Sequence, residues 1–162
     1  MNQTALILLL SEIPGIGEVI HKKILEGNAI HRKSPEEFLS LPMPELKKLY
    51  QLPSAVVENI KKVTPEMVDH AVQASASFLR TGVEVLTFQD ASYPYRLLEY
   101  ISCPPPVLYM YGSYDILNHA TFAIANSNKS PEPALNAGDA ACLKSLNAGE
   151  TLITGHNRPE YQ

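Results

Sequence analysis

Two cysteines, Cys103 and Cys142, are too few and too far apart for a zinc fingerprint or a disulfide framework. So sparing a use of thiols suits a reducing compartment, and the cytoplasm is expected. Long apolar runs are missing as well. The stretch "ALILLL" covers only residues 5–10 and has no basic residue before it, so neither a signal peptide nor a membrane span of about 20 residues is expected. No dinucleotide fingerprint or P-loop occurs, because "PGIG" precedes a helical pattern but follows no strand. The histidines His21, His31, His70, His119 and His156 fall into no zinc-protease or Cys/His arrangement. The carboxylates are scattered as surface charge. No catalysis, no cofactor and no metal site are expected. An excess of basic charge is also lacking: the net charge is -4. Residues 1–63 hold 8 Lys/Arg against 7 Asp/Glu, and residues 64–162 hold 5 against 10. A nucleic-acid surface would therefore be local.

What is present is punctuation. Thirteen prolines divide the 162 residues into short elements. The first 63 residues read as short helices, beginning with "NQTALILLLSEI" before Pro14. In "GEVIHKKILEG", Val19, Ile20, Ile24 and Leu25 fall on one face, with Gly27 as the stop. "SPEEFLSL" carries Ser34 as N-cap, Pro35 at the first helical position, and two glutamates at the positive end of the helix dipole. "MPELKKLYQL" and "SAVVENIKKV" follow, separated by Pro53. A longer helix runs from Thr64 to a C-cap at Gly82, with Met67, Ala71, Ala74, Phe78 and Leu79 as its buried stripe.

The pattern then turns to strands: "VEVLTF" (83–88), "VLYMYG" (107–112), "TFAIA" (121–125) and "TLIT" (151–154). Between the last two, "PALNAGDAACLKSLNAG" reads as a helix despite Gly138. Strand, loop, helix, strand is a βαβ unit, which implies parallel pairing. The expected fold class is α/β: an N-terminal all-α helix-hairpin-helix (SAM-like) module over 1–63, a connecting helix over 64–82, and an abbreviated Rossmann-like parallel sheet over 83–162.

"LSEIPGIGEVIHKKILEG" resembles a helix-hairpin-helix motif, in which two helices flank an apolar-Gly-apolar-Gly turn. Gly15 and Gly17 allow the tight turn and a close approach of backbone N–H groups to a phosphate. Ile13 and Ile16 pin the hairpin to the core, and Lys22 and Lys23 supply charge just after the turn. "LKKLYQLPSAVVENIKK" has the outline of a second copy, with Pro53, Ser54 and Ala55 in place of the glycines. Two readings of the first hairpin stay open, a phosphate-binding turn and a plain helix-helix turn. The tyrosines between 93 and 114 can likewise be base-stacking platforms or half-buried packing.

The segment "GVEVLTFQDASYPYRLLEYISCPPPVLYMYGS" carries Gly82-Val83, Asp90, Tyr93-Pro94, Leu97-Leu98, Pro105-Pro106, Val107-Leu108-Tyr109 and Gly112. In that order and spacing it resembles the entry into the Rossmann-like domain of the DNA-processing protein A (DprA/Smf) family. The resemblance covers nearly the whole chain, strongest from Gly82 to Gly112, in a divergent and C-terminally shortened form. It implies single-stranded DNA binding in recombination or natural transformation, without covalent chemistry, and a RecA-type recombinase as partner.

The family's Gly-Ser-Arg phosphate loop aligns with Asn126, Ser127 and Asn128, followed by Lys129, so only the serine is kept. Its later Ser-Gly aligns with Thr154 and Gly155, and Arg158 is a further basic contact. The implied phosphate-binding set is therefore Gly15, Gly17, Lys22, Lys23, Ser127, Asn128, Lys129, Gly155 and Arg158. A sheet this small leaves apolar surface uncovered, so a homodimer or a protein partner is expected. The alternative is an interaction or self-association module that has kept the fold and lost DNA binding.

Overall fold

The computed structural model of the protein describes residues 1–102, 104–124 and 129–153. Helix α1 (Gln3–Ser11) starts at Asn2, whose side-chain oxygen accepts from the Ala5 N–H at 2.8 Å. Its "ALILLL" run is apolar on nearly every side, and Ala5, Leu6, Ile7, Leu9 and Leu10 are all buried. A helix of that kind belongs at the centre of a helical layer. One side, through Leu6 and Leu10, packs among Ile13, Ile24, Phe38, Leu46 and Val57. The other, through Ala5 and Leu9, packs on Ala71. No helix among the described residues is long and apolar enough to cross a membrane.

Helix α2 (Glu18–His31) differs from its expected form in two ways. It does not stop at Gly27 but runs four residues further, to a left-handed C-cap at Arg32 (φ 50°). Gly27 is there for space. A Cβ on it would lie 2.4 Å from the ring of Tyr50, a contact no side chain tolerates. The Tyr50 hydroxyl donates to Asn28 Oδ1 at 2.7 Å, so both ends of that ring are held. Burial, together with the Glu37 carboxylate, pushes the phenol up to about 12. The second difference is the buried face: Val19 is 61% exposed, and His21 is buried alongside Ile24 and Leu25.

Helix α3 (Pro35–Ser40) is closed by a capping box. The Glu37 N–H donates to Ser34 Oγ at 3.2 Å, and the Ser34 N–H donates to the Glu37 carboxylate at 2.8 Å. Helices α4 (Met43–Tyr50) and α5 (Ser54–Ile60) follow on either side of the Pro53 turn. Helix α6 (Pro65–Thr81) starts after Thr64, which serves as its N-cap, and has the expected Gly82 C-cap, with Gly82 at φ 74°. Its buried stripe holds Ala71 but not Leu79, which is 70% exposed. Ser75 is buried instead, because its hydroxyl donates to Asn2 Oδ1 at 3.1 Å and ties α6 to the start of α1.

Strands β1 (Val83–Thr87) and β2 (Val107–Tyr111) pair antiparallel, from Val83 opposite Tyr111 to Thr87 opposite Val107. The parallel sheet expected over the whole region is therefore corrected: the described strands form two separate two-stranded sheets. The connector explains the reversal. It holds a short helix, α7 (Tyr95–Tyr100), and its ends are tied together. The Thr87 N–H and hydroxyl donate to Asp90 Oδ2 at 2.6 and 2.7 Å. The hydroxyl of buried Tyr93 donates to the Pro105 carbonyl at 2.5 Å, and the Phe88 N–H to the Pro106 carbonyl at 3.2 Å. The last two of these bonds bring the start of β2 back beside the end of β1.

The βαβ expectation holds for the remaining elements. Strands β3 (Thr121–Ala123) and β4 (Thr151–Ile153) pair parallel, Thr121 opposite Thr151, across helix α8 (Glu132–Asn147). The buried Ser145 hydroxyl donates to the Glu150 carboxylate and steadies the exit from α8. The chain divides into two compact units, Met1–Gly112 and Ser113–Gln162. The first carries α1 to α7 with the antiparallel sheet, and the second carries the βαβ unit. The architecture is thus mixed α/β, with one antiparallel and one parallel sheet.

Candidate functional site

The turn between α1 and α2 is built by its two isoleucines. Ile13 and Ile16 are buried, and the Ile16 N–H donates to the Ile13 carbonyl at 3.2 Å. Between them Gly15 adopts φ +87°, which disfavours any residue with a Cβ. The Asn59 side chain donates to the Pro14 carbonyl at 3.0 Å, anchoring the turn to α5. Gly17 is different: its backbone is extended (φ −94°, ψ −174°) and a Cβ there would meet open space. It is the N-cap of α2, and no side chain caps the helix. The first-turn N–H groups of this 14-residue helix therefore carry their partial positive charge unmasked by a cap.

Of the two lysines after the turn, Lys22 is engaged. Its Nζ lies 3.9 Å from a Glu26 carboxylate oxygen and 5.5 Å from the centre of the Phe88 ring. Lys23 is half-buried and lines a shallow surface groove with Ile30, His31 and Tyr50. In the second-copy hairpin, Lys61 donates to the Leu39 carbonyl at 2.8 Å and Lys62 to Asn59 Oδ1 at 3.0 Å. Its turn runs through a left-handed Gln51 (φ 52°) to Pro53. Gly15 and Gly17 thus lie at the N-terminal end of α2, Lys22 follows a turn later and is partly neutralised, and Lys23 faces the groove along the C-terminal half of the helix.

The other proposed contacts belong to the second unit. Lys129 is exposed, in the turn leading to α8, whose N-cap is Pro131. Ser127, Asn128, Gly155 and Arg158 lie outside the described residues. Among the described residues no group of three or more His, Cys, Asp or Glu could hold a metal ion.

One feature of this end of α2 escaped the motif reading. A groove of about 250 Å³ runs beside the turn, and its lining includes Ile16, Gly17, Glu18 and His21 from the turn and α2 and Pro105 and Tyr109 from the 105–109 segment. His21 is 7% exposed, and its Nε2 is buried without a hydrogen-bond partner. Desolvation holds its pKa below the ordinary histidine value, so the ring is neutral at pH 7. Four-residue spacing puts His21 under Gly17 on one stripe of the helix. The signal in the sequence was its position between Ile20 and Ile24, a polar residue inside an apolar stripe. Tyr109 is 50% exposed, with one ring edge-to-face contact to Phe78 at 5.8 Å.

The chain matches no known family model, and neither curated proteins nor solved structures yield a match.

Proposed function

We propose that the protein binds single-stranded DNA without catalysis, as a divergent relative of the DprA/Smf family, and that the α1–α2 turn is its phosphate contact. In this reading the first unit is a SAM-like helix-hairpin-helix module joined to the entry strands of a Rossmann-like domain, and the βαβ unit belongs to that domain. The protein acts in the cytoplasm, as a homodimer, and passes the strand to a RecA-type recombinase. The observation that carries the reading is Gly17: an exposed, uncapped helix N-terminus next to a turn that requires Gly15. Backbone N–H groups presented in this way, with the helix dipole behind them, attract a phosphate. Lys23, which has no carboxylate partner among the described residues, adds long-range attraction, and Lys129 and Arg158 add charge from the second unit.

The test is a titration of a labelled single-stranded oligonucleotide across salt concentrations. Log affinity falls against log salt with a slope of roughly -0.7 per phosphate contacted. Gly17→Asp places a carboxylate over the N–H groups without a clash and abolishes binding while the fold persists. A flat salt response, or unchanged affinity in Gly17→Asp, refutes the proposal.

A second reading is supported by the apolar surface of the second unit, where Leu143, Leu146 and Ile153 are each more than half exposed. A module devoted to self-association would use that surface. Sedimentation showing a tight dimer, together with no retention of DNA, selects it.

A further inference from the structure

The groove beside the turn has a mixed chemistry that a phosphate does not explain. Glu18, on the first turn of α2, is one of its lining residues and brings a negative charge to this end of the helix. Ile16 and Pro105 are apolar, and Tyr109 leaves half its surface free. His21 also lines the groove; it is 7% exposed and has a buried ring nitrogen without a partner. A leucine at that point of the stripe would pack without the cost of an unpaired buried nitrogen. The arrangement suits a neutral, flat ligand that has a stackable face and hydrogen-bonding edges.

We infer that this groove holds one unstacked nucleobase of the strand whose phosphate sits at the Gly15–Gly17 turn. The inference rests on the proposed DNA binding and gives it a base-recognition element. The base stacks against Tyr109 and Pro105, as unpaired bases stack on aromatic side chains in other single-strand sites. An exocyclic amine donates to the Glu18 carboxylate, a pairing open to cytosine and adenine and closed to thymine. The base edge supplies the missing partner of His21. The imidazole turns about its soft χ2 torsion to present the nitrogen, which is closed to water in the free protein. A base paired within a duplex cannot enter, so the groove also selects single strands.

The experiment is fluorescence anisotropy on the full chain with oligo(dC), oligo(dT) and an abasic oligonucleotide of equal length and charge. Oligo(dC) is expected to bind about tenfold tighter than the abasic strand, within the range one stacked base supplies, and tighter than oligo(dT). His21→Leu brings oligo(dC) to the abasic level and leaves abasic binding unchanged. Glu18→Gln, at an exposed position that the fold does not depend on, removes the preference for dC over dT. Equal affinity of the wild-type protein for oligo(dC) and the abasic strand, with a steep salt dependence, overturns the base site and leaves the phosphate contact standing. No binding to any strand overturns both.

Discussion

Replacing His21 with leucine should make the protein more stable, and the amount follows from what the nitrogen lacks. In the folded state Nε2 is shut off from water and has no hydrogen-bond partner, whereas the unfolded chain hydrates it fully. Leaving such a group unsatisfied costs about 1–3 kcal/mol. Leucine is similar in bulk and belongs in a stripe with Ile24 and Leu25, so little is lost in packing. For a unit of this size, each kcal/mol shifts Tm by roughly 4–8 °C. The effect should also depend on pH. Burial lowers the folded-state pKa of His21 from the usual 6.5. Between the two pKa values the unfolded chain binds the proton and the folded chain does not. Wild-type stability is therefore present above about pH 6.5 and is lost as pH falls through the window below it. His21→Leu removes this contribution. Thermal and urea unfolding followed by circular dichroism at pH 7.5 and pH 5.5 measures both parts: a higher midpoint for the variant at pH 7.5, and a gap that widens at pH 5.5. A variant destabilised at both pH values, with the same pH dependence as wild type, would refute the argument by showing that the folded state satisfies this nitrogen.

Other substitutions probe the same physical reasoning. Gly27→Ala gains about 1 kcal/mol in helix propensity and meets the fixed Tyr50 ring at 2.4 Å; overpacking of about 1–3 kcal/mol should leave a net loss of stability, read as a lower urea midpoint. Asp90→Ala removes the acceptor for the Thr87 N–H and hydroxyl and should cost roughly 1.5–3 kcal/mol, as hydrogen bonds to a charged group do, with the loss appearing as faster amide exchange in β1 and β2. Tyr93→Phe deletes only the bond to the Pro105 carbonyl and should cost about 0.5–1.5 kcal/mol; no measurable loss would mean that the ring, not the hydroxyl, holds the connector. Lys23→Ala should reduce the salt slope of oligonucleotide binding by about 0.7 and leave the melting temperature unchanged.

The local rules of the chain were legible residue by residue. Ser34 with Glu37, Thr64 and Gly82 mark helix ends through bonds to backbone groups within a few positions, so each acts in the same way regardless of what surrounds it. The β-branched and apolar runs at 83–87 and 107–111 likewise form strands. The parallel pairing of β3 with β4 followed from an intervening helix of 16 residues, a connection that suits a crossover. The phosphate-binding reading rests on the same kind of local signal, the PGIG turn.

Three features depended on partners distant in sequence. Gly27 reads as a helix stop, yet Tyr50, 23 positions later, occupies the space where its side chain would be. The strands β1 and β2 become antiparallel because Tyr93 and Phe88 bond across the connector to Pro105 and Pro106. His21 lines a groove together with Pro105 and Tyr109 only because the fold brings the 105–109 segment beside the start of α2. Capping and periodicity are written within one turn of chain, and the sequence by itself determined them. Close approach, strand direction and desolvation are set by which distant segments meet, and only the tertiary structure decided those.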